Sequence, residues 1–124
     1  MNIVDSSGWL AYFADESNAG HFLGPLSNPS TLVVPTITIY EVFKVVLRES
    51  NENDALQAVM AMQKGTVADL NASRAVAAAK LSLEHRLPMT DAVILATARE
   101  YNAVVWTQDS DFKNIDNVKY FQKK

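Results

Sequence analysis

Short apolar and β-branched runs, each separated from the next by segments of helical periodicity, constrain this chain more than any other feature. Asn2-Ile3-Val4, Thr31-Leu32-Val33-Val34 (closed by Pro35), Thr66-Val67-Ala68 and Ala103-Val104-Val105-Trp106 read as strands, and Val118 to Phe121 as a last edge strand. Trp9, Leu10, Tyr12 and Phe13 predict a first helix from Ser6 or Ser7, and Ala19 to Leu26 a short second one before the loop Ser27-Asn28-Pro29-Ser30. Thr38 and Glu41 fit a capping box, with Ile37 and Val42 as its hydrophobic staple, so a helix is expected to start there and run through Leu47. Asn51 to Asn53 break the pattern. Leu56, Val59, Met60 and Gln63 restore it, with Gly65 as a C-terminal stop. Ala72, Ala75, Val76, Ala79 and Leu83 mark one helical face, and Pro88 precedes a final helix over roughly Asp91 to Tyr101. Strands alternating with helices imply βαβ units: an α/β fold on a parallel sheet, with helices on both faces.

Composition narrows the function. A chain of 124 residues is expected to form a single domain, 1–124, with enough core to need no staple. The absence of cysteine excludes a disulfide scaffold, a thiolate zinc site and a cysteine nucleophile. No apolar run approaches the roughly 18 residues of a membrane span. The first fifteen residues hold no Lys or Arg but do hold Asp5 and Asp15, which is unlike a secretory leader, so a cytoplasmic protein is expected. Eleven Lys and Arg against 14 Asp and Glu give a net charge of −3, which argues against passive nucleic-acid binding through a broad basic surface. A nuclease that grips its substrate through metal ions escapes that argument. Phosphate-cradling glycine motifs are missing, Ser6 and Ser7 lack a paired histidine signature, and His21 and His85 stand alone.

The chemistry therefore falls to the acids. In an open parallel sheet, ligands bind beyond the carboxyl ends of the strands. Asp5 follows the first predicted strand, Asp109 and Asp111 follow the strand ending at Trp106, Asp91 opens the last helix, and Glu41 lies one turn into the helix after the second strand. Parallel strands would bring several of these carboxylates to one edge, where they repel unless a cation neutralises them. An all-oxygen set suits a hard divalent ion, Mg²⁺ or Mn²⁺, and such an ion is equipped for phosphoryl chemistry. Each acid also has a structural use: Asp5 as a helix cap, Glu41 in the capping box, Asp91 against the helix dipole, Asp109 and Asp111 in Asx-turns.

Four segments carry a family resemblance: Ile3-Val4-Asp5-Ser6-Ser7, Ile39-Tyr40-Glu41-Val42, Met89-Thr90-Asp91-Ala92-Val93-Ile94-Leu95-Ala96-Thr97-Ala98, and Val105-Trp106-Thr107-Gln108-Asp109-Ser110-Asp111-Phe112. In order, interval and total length the chain resembles the PIN domain, and within it the small toxins of VapBC-type toxin–antitoxin pairs. The resemblance implies a three-layer α/β/α fold with a central parallel sheet. It also implies a metal-dependent endoribonuclease, using Mg²⁺ or Mn²⁺, with Asp5, Glu41, Asp91 and Asp109 as catalytic acids. The metal ligands would come from Asp5, Asp91, Asp109 and an auxiliary Asp111, with Ser6 and Thr107 as polar supports. Its partners would be RNA, a cognate antitoxin and a second copy in a homodimer, with no membrane. The chain departs from this picture in its low basic content: Lys44, Arg48, Lys80, Arg86 and Arg99 are the candidates for RNA-backbone contact.

Two readings from other classes compete. A phosphoacceptor receiver domain has similar length and an acidic pocket, but it needs paired acids after the first strand and an acceptor Asp after the third. Here Asp5 is followed by Ser6-Ser7, and Asp54 lies in a polar helix start. A non-catalytic binding module would use Trp9, Tyr12, Phe13 and Phe22 as a partner surface.

Overall fold

The computed structural model describes residues 1–124. Five short strands, β1 (Asn2–Val4), β2 (Val33–Pro35), β3 (Thr66–Ala68), β4 (Val104–Thr107) and β5 (Val118–Tyr120), all pair in parallel. β1 pairs with β4 in the register Ile3–Val105, β4 with β5 as Val105–Val118, and β2 with β3 as Val34–Val67. A parallel bridge between Asn2 and Leu32 joins the three-stranded and two-stranded parts, giving the order β3-β2-β1-β4-β5. The chain leaves β1 toward β2 on one side and later returns to β4 on the other. The strand order therefore reverses between β1 and β4, and beyond their carboxyl ends lies the crevice in which such sheets bind ligands.

The helices are α1 (Ser6–Phe13), α2 (Leu23–Leu26), α3 (Thr36–Glu49), α4 (Glu52–Met62), α5 (Ala72–His85) and α6 (Met89–Glu100). Side chains alternate across each strand, and this divides the core in two. Ile3 and Val33 point into a cluster with Ala78, Leu81, Ile94 and Leu95 of α5 and α6. Their neighbours Val4 and Val34 point into the opposite cluster, with Trp9 of α1, Val42 of α3, and Ala58 and Met62 of α4. The result is three layers, helices–sheet–helices. Helix α6 is buried from Asp91 through Ala98. Truncating its fully buried Ile94 to Ala is expected to cost about 2–5 kcal/mol.

Local signals were overridden in three places. The capping box at Thr38 does not form: α3 starts two residues earlier, at Thr36, straight after Pro35 (φ −62°, ψ 139°), and Thr38 is a buried member of its first turn. Proline here ends the strand and launches the helix with its fixed φ, so no separate cap residue is needed. Helix α6 likewise starts at Met89 after Pro88, two residues before Asp91, which becomes the acid of its first turn. Gly65 is not a helix stop, since α4 ends at Met62. A Cβ on Gly65 would meet the Leu32 carbonyl at 2.9 Å, so the glycine is there to let the chain approach β2 closely. Gly8 does the same for α1, where a Cβ would strike Val4 at 2.6 Å and Phe22 at 2.8 Å.

Candidate active site

Asp5 directly follows β1 and caps α1. Its Oδ1 accepts the Gly8 backbone N–H at 3.0 Å and the Ser7 hydroxyl at 2.7 Å, and its Oδ2 accepts the Thr107 hydroxyl at 2.6 Å. Thr107, the last residue of β4, also accepts the Asp109 N–H at 2.8 Å. One hydroxyl thus ties together the ends of the two strands that flank the crevice. Asp109 in turn caps a short 3₁₀ turn (Ser110–Phe112), accepting the Asp111 N–H at 2.9 Å. The structural uses of Asp5 and Asp109 are real, and they fix where the remaining lone pairs point.

Asp91 enters from α6. Carboxylate oxygens of Asp91, Asp109 and Asp111 all lie within 4.8 Å of one another, the first buried, the second half-buried, the third exposed. Glu41, half-buried on α3, accepts the Ser6 hydroxyl on Oε1 at 2.5 Å. Two acids are strongly perturbed. Burial pushes Asp5 up from 3.8 to about 6 against the pull of its three hydrogen bonds, with a small further push from Asp109. Asp91 is pushed up to about 8, first by burial and then by the charges of Asp109, Asp5, Asp111 and Glu41. Acids that follow β1, sit on α3 and α6, and lie in the loop after β4 are thus close enough for their charges to act on Asp91.

The seven residues singled out from the sequence, Asp5, Glu41, Asp91, Asp109, Asp111, Ser6 and Thr107, come together in this region. Three details differ from expectation. Asp5 and Glu41 stand outside the tight trio. Ser6 serves Glu41, whereas the serine hydroxyl on Asp5 is that of Ser7. Two buried amides behind Ser7, Asn18 and Gln108, complete the setting. Gln108 lies within the Thr107–Asp111 segment and was open to suspicion; nothing marks Asn18, because the loop after α1 has no period. A groove of about 680 Å³ opens beside the acids rather than upon them, with Ser7 and Gln108 on its wall and Leu10, Phe13 and Val46 among its apolar lining. Asp54 is exposed in the first turn of α4 and bonded to Ser50, unlike a phosphoacceptor at a strand end. Of the aromatics offered as a partner surface, Trp9 and Phe22 are core residues and only Tyr12 is exposed.

A trio of carboxylates with a buried, proton-retaining member fits a hard divalent cation: all donors are oxygen, and a positive charge is what the set lacks. The family profile of the PIN domain matches residues 3–118. The chain belongs to the PIN domain family. No curated protein sequence matches it significantly. Solved structures share its fold at low identity. A toxin–antitoxin complex from Klebsiella pneumoniae superimposes with a TM-score of 0.84 at 22% identity, covering 100% of both chains. VapC20 from Mycobacterium tuberculosis, a sarcin–ricin loop cleaving toxin, gives 0.79 at 19% identity over 94% of this chain and 95% of its own. VapBC2 from Rickettsia felis, bound to a DNA fragment from its promoter, gives 0.73 at 16% identity over 97% and 96%.

Proposed function

We propose that this PIN-domain protein, acting as one domain, is a metal-dependent endoribonuclease and the toxin of a toxin–antitoxin pair. One observation carries the reading: Asp91 is buried, has no hydrogen-bond donor of its own, and faces the charges of four other acids. A chain that collects carboxylates around a buried one gains nothing from them until a cation completes the set. Asp91, Asp109 and Asp111 are the residues that would hold Mg²⁺ or Mn²⁺, and Asp5, whose Oδ2 keeps a lone pair beyond the one that accepts Thr107, is a further donor outside the trio. When bound, such an ion polarises a phosphodiester and acidifies water.

The remaining steps belong to the protein. Thr107 and Ser7 fix the Asp5 carboxylate, and Thr107 fixes the start of the Asp109 turn. Ser6 occupies Oε1 of Glu41, leaving Oε2 to take up a proton from the attacking water. Water adds to phosphorus in line with the departing 3′-oxygen, so a P–O bond to water forms as the P–O3′ bond breaks. The products carry a 5′-phosphate and a 3′-hydroxyl, and the substrate 2′-hydroxyl is not the nucleophile. Lys44 and Arg48, on the same helix as Glu41, are candidates to steady the RNA backbone.

The toxin role draws on the solved relatives found with antitoxins. Exposed Tyr40, Leu47, Leu56 and Met60 on α3 and α4 leave apolar surface for a second copy in a homodimer. No helix is long and apolar enough to cross a membrane. Total RNA incubated with the protein and Mn²⁺ should be cut to fragments with 5′-phosphate ends, and chelator or Asp91→Asn should stop the cutting. Undiminished cleavage by Asp91→Asn would overturn the assignment.

A further inference from the structure

Asn18 and Gln108 are nearly as buried as Asp5, at 2% and 6% exposure, and an amide buried at such depth costs stability unless its groups are paired. They come from elements 90 residues apart and bond to each other: Asn18 Nδ2 donates to Gln108 Oε1 at 3.0 Å and also to the Gln122 carbonyl at 3.0 Å. Gln108 Nε2 donates to the Ser7 carbonyl at 3.3 Å and reaches Glu16 Oε1 at 3.5 Å, while its backbone N–H donates to Ser7 Oγ at 3.2 Å. Ser7 Oγ then donates to Asp5 Oδ1 at 2.7 Å. Each orientation along this chain is forced. Reversing the Asn18 amide would set its oxygen against two acceptors, and reversing Gln108 would do the same against the Ser7 carbonyl and Glu16. Ser7 Oγ accepts from Gln108, and its single proton goes to the near acceptor, Asp5 Oδ1 at 2.7 Å, with Thr107 Oγ1 farther off at 3.4 Å. The arrangement is poor as mere filling: Asn18 Oδ1 is buried without a partner, a defect that an apolar side chain would not have.

We propose that Asn18 and Gln108 are positioning residues that orient the Asp5 carboxylate through Ser7. Its kinetic consequence rests on the nuclease reading above; its geometric consequence does not. The test is a double-mutant cycle of Asn18→Leu with Ser7→Ala, read in two ways. In the Ser7 background, Asn18→Leu should lower kcat about tenfold with KM held within about twofold, a typical coupling within one hydrogen-bond network. In the Ser7→Ala background the same substitution should change kcat by less than about twofold, because the link it acts through is gone. The second readout is the Gly8 backbone amide, which donates to the same Oδ1 and is followed by NMR. Its resonance should move on Asn18→Leu alone and stay put once Ser7 is Ala. Should Asn18→Leu not fold, Gln108→Glu takes its place: it keeps an acceptor for Asn18 and sets an oxygen against the Ser7 carbonyl. Equal falls in kcat in both backgrounds, or a Gly8 amide that ignores Asn18, overturns the proposal. If the wild type does not cleave, or Asp91→Asn cleaves as well, the nuclease reading fails instead, and the Gly8 cycle alone decides the positioning role.

Discussion

Asp5 and Asp91 are both buried carboxylates of one acidic cluster, and the protein treats them in opposite ways. Asp5 receives three hydrogen bonds, from Gly8, Ser7 and Thr107. Asp91 receives none, and its neighbours are four more acids. A carboxylate surrounded by donors is part of the scaffold even where it also serves chemistry. A carboxylate surrounded by its own kind is stable only with a proton or a cation. The contrast separates what holds the fold from what waits for a ligand, and isosteric amides expose it. Asp91→Asn makes permanent the neutral state that Asp91 otherwise reaches only by holding a proton, so it should lower RNA cleavage on the order of ten-thousandfold while leaving the metal-free melting temperature unchanged or higher. Asp5→Asn turns an NH₂ toward donors that need an acceptor. It should also abolish cleavage, but with a loss of about 1–3 kcal/mol in stability. If both amides shift the melting temperature in the same direction, the contrast is wrong.

Acidity sharpens the same comparison. Asp91 keeps its proton in the folded state up to about pH 8, against an ordinary value of 3.8, and Asp5 keeps its own up to about 6. Between these limits the folded chain binds more protons than the unfolded one, so stability falls as pH rises. In chelator, the melting temperature should therefore decline from about pH 4 to about pH 8, most of the upper part of that slope belonging to Asp91. The decline between pH 6 and 8 should flatten in Asp91→Asn. Mn²⁺ competes with the proton for the same carboxylates, so the stabilisation it gives should grow with pH across that window. A metal-independent slope would show that the acids titrate without holding an ion.

How much of this was legible in the sequence differs between the two carboxylates for a physical reason. The strand–helix alternation, the order of the acids and the place of Asp5 after β1 are local facts, so they read directly from the chain. The parallel sheet follows because such short strands, spaced by helices, have no hairpin route back. What did not read was every feature set by tertiary contact. Thr38 and Glu41 have the spacing of a capping box, yet Pro35 starts the helix two residues upstream and leaves the Thr38 hydroxyl buried without a partner. Adjacent serines cannot be told apart in a sequence; only the turn of α1 sends Ser7 to Asp5 and Ser6 to Glu41. Gly65 looks like a helix stop until Leu32 is found against it.

The supports of the two kinds of acid should rank accordingly. Thr107 donates to Asp5 and accepts from Asp109, so Thr107→Val breaks both links at once, at nearly constant volume. It should cut cleavage about 10- to 100-fold, the usual toll for losing a group that orients a ligand. It should also weaken the stabilisation by Mn²⁺. Ser6→Ala stands at the other end. It removes a single donor from Glu41, a half-exposed side chain to which water has access, so the hydrogen bond has a ready replacement. Cleavage should fall by only about two- to fivefold, within the range of one modest hydrogen bond, and the Mn²⁺-induced shift in melting temperature should be unchanged, since Glu41 lies outside the trio of Asp91, Asp109 and Asp111. If Ser6→Ala proves as damaging as Thr107→Val, Glu41 belongs with the acids that need a fixed orientation, and the set that would hold the ion extends beyond Asp91, Asp109 and Asp111 to include it.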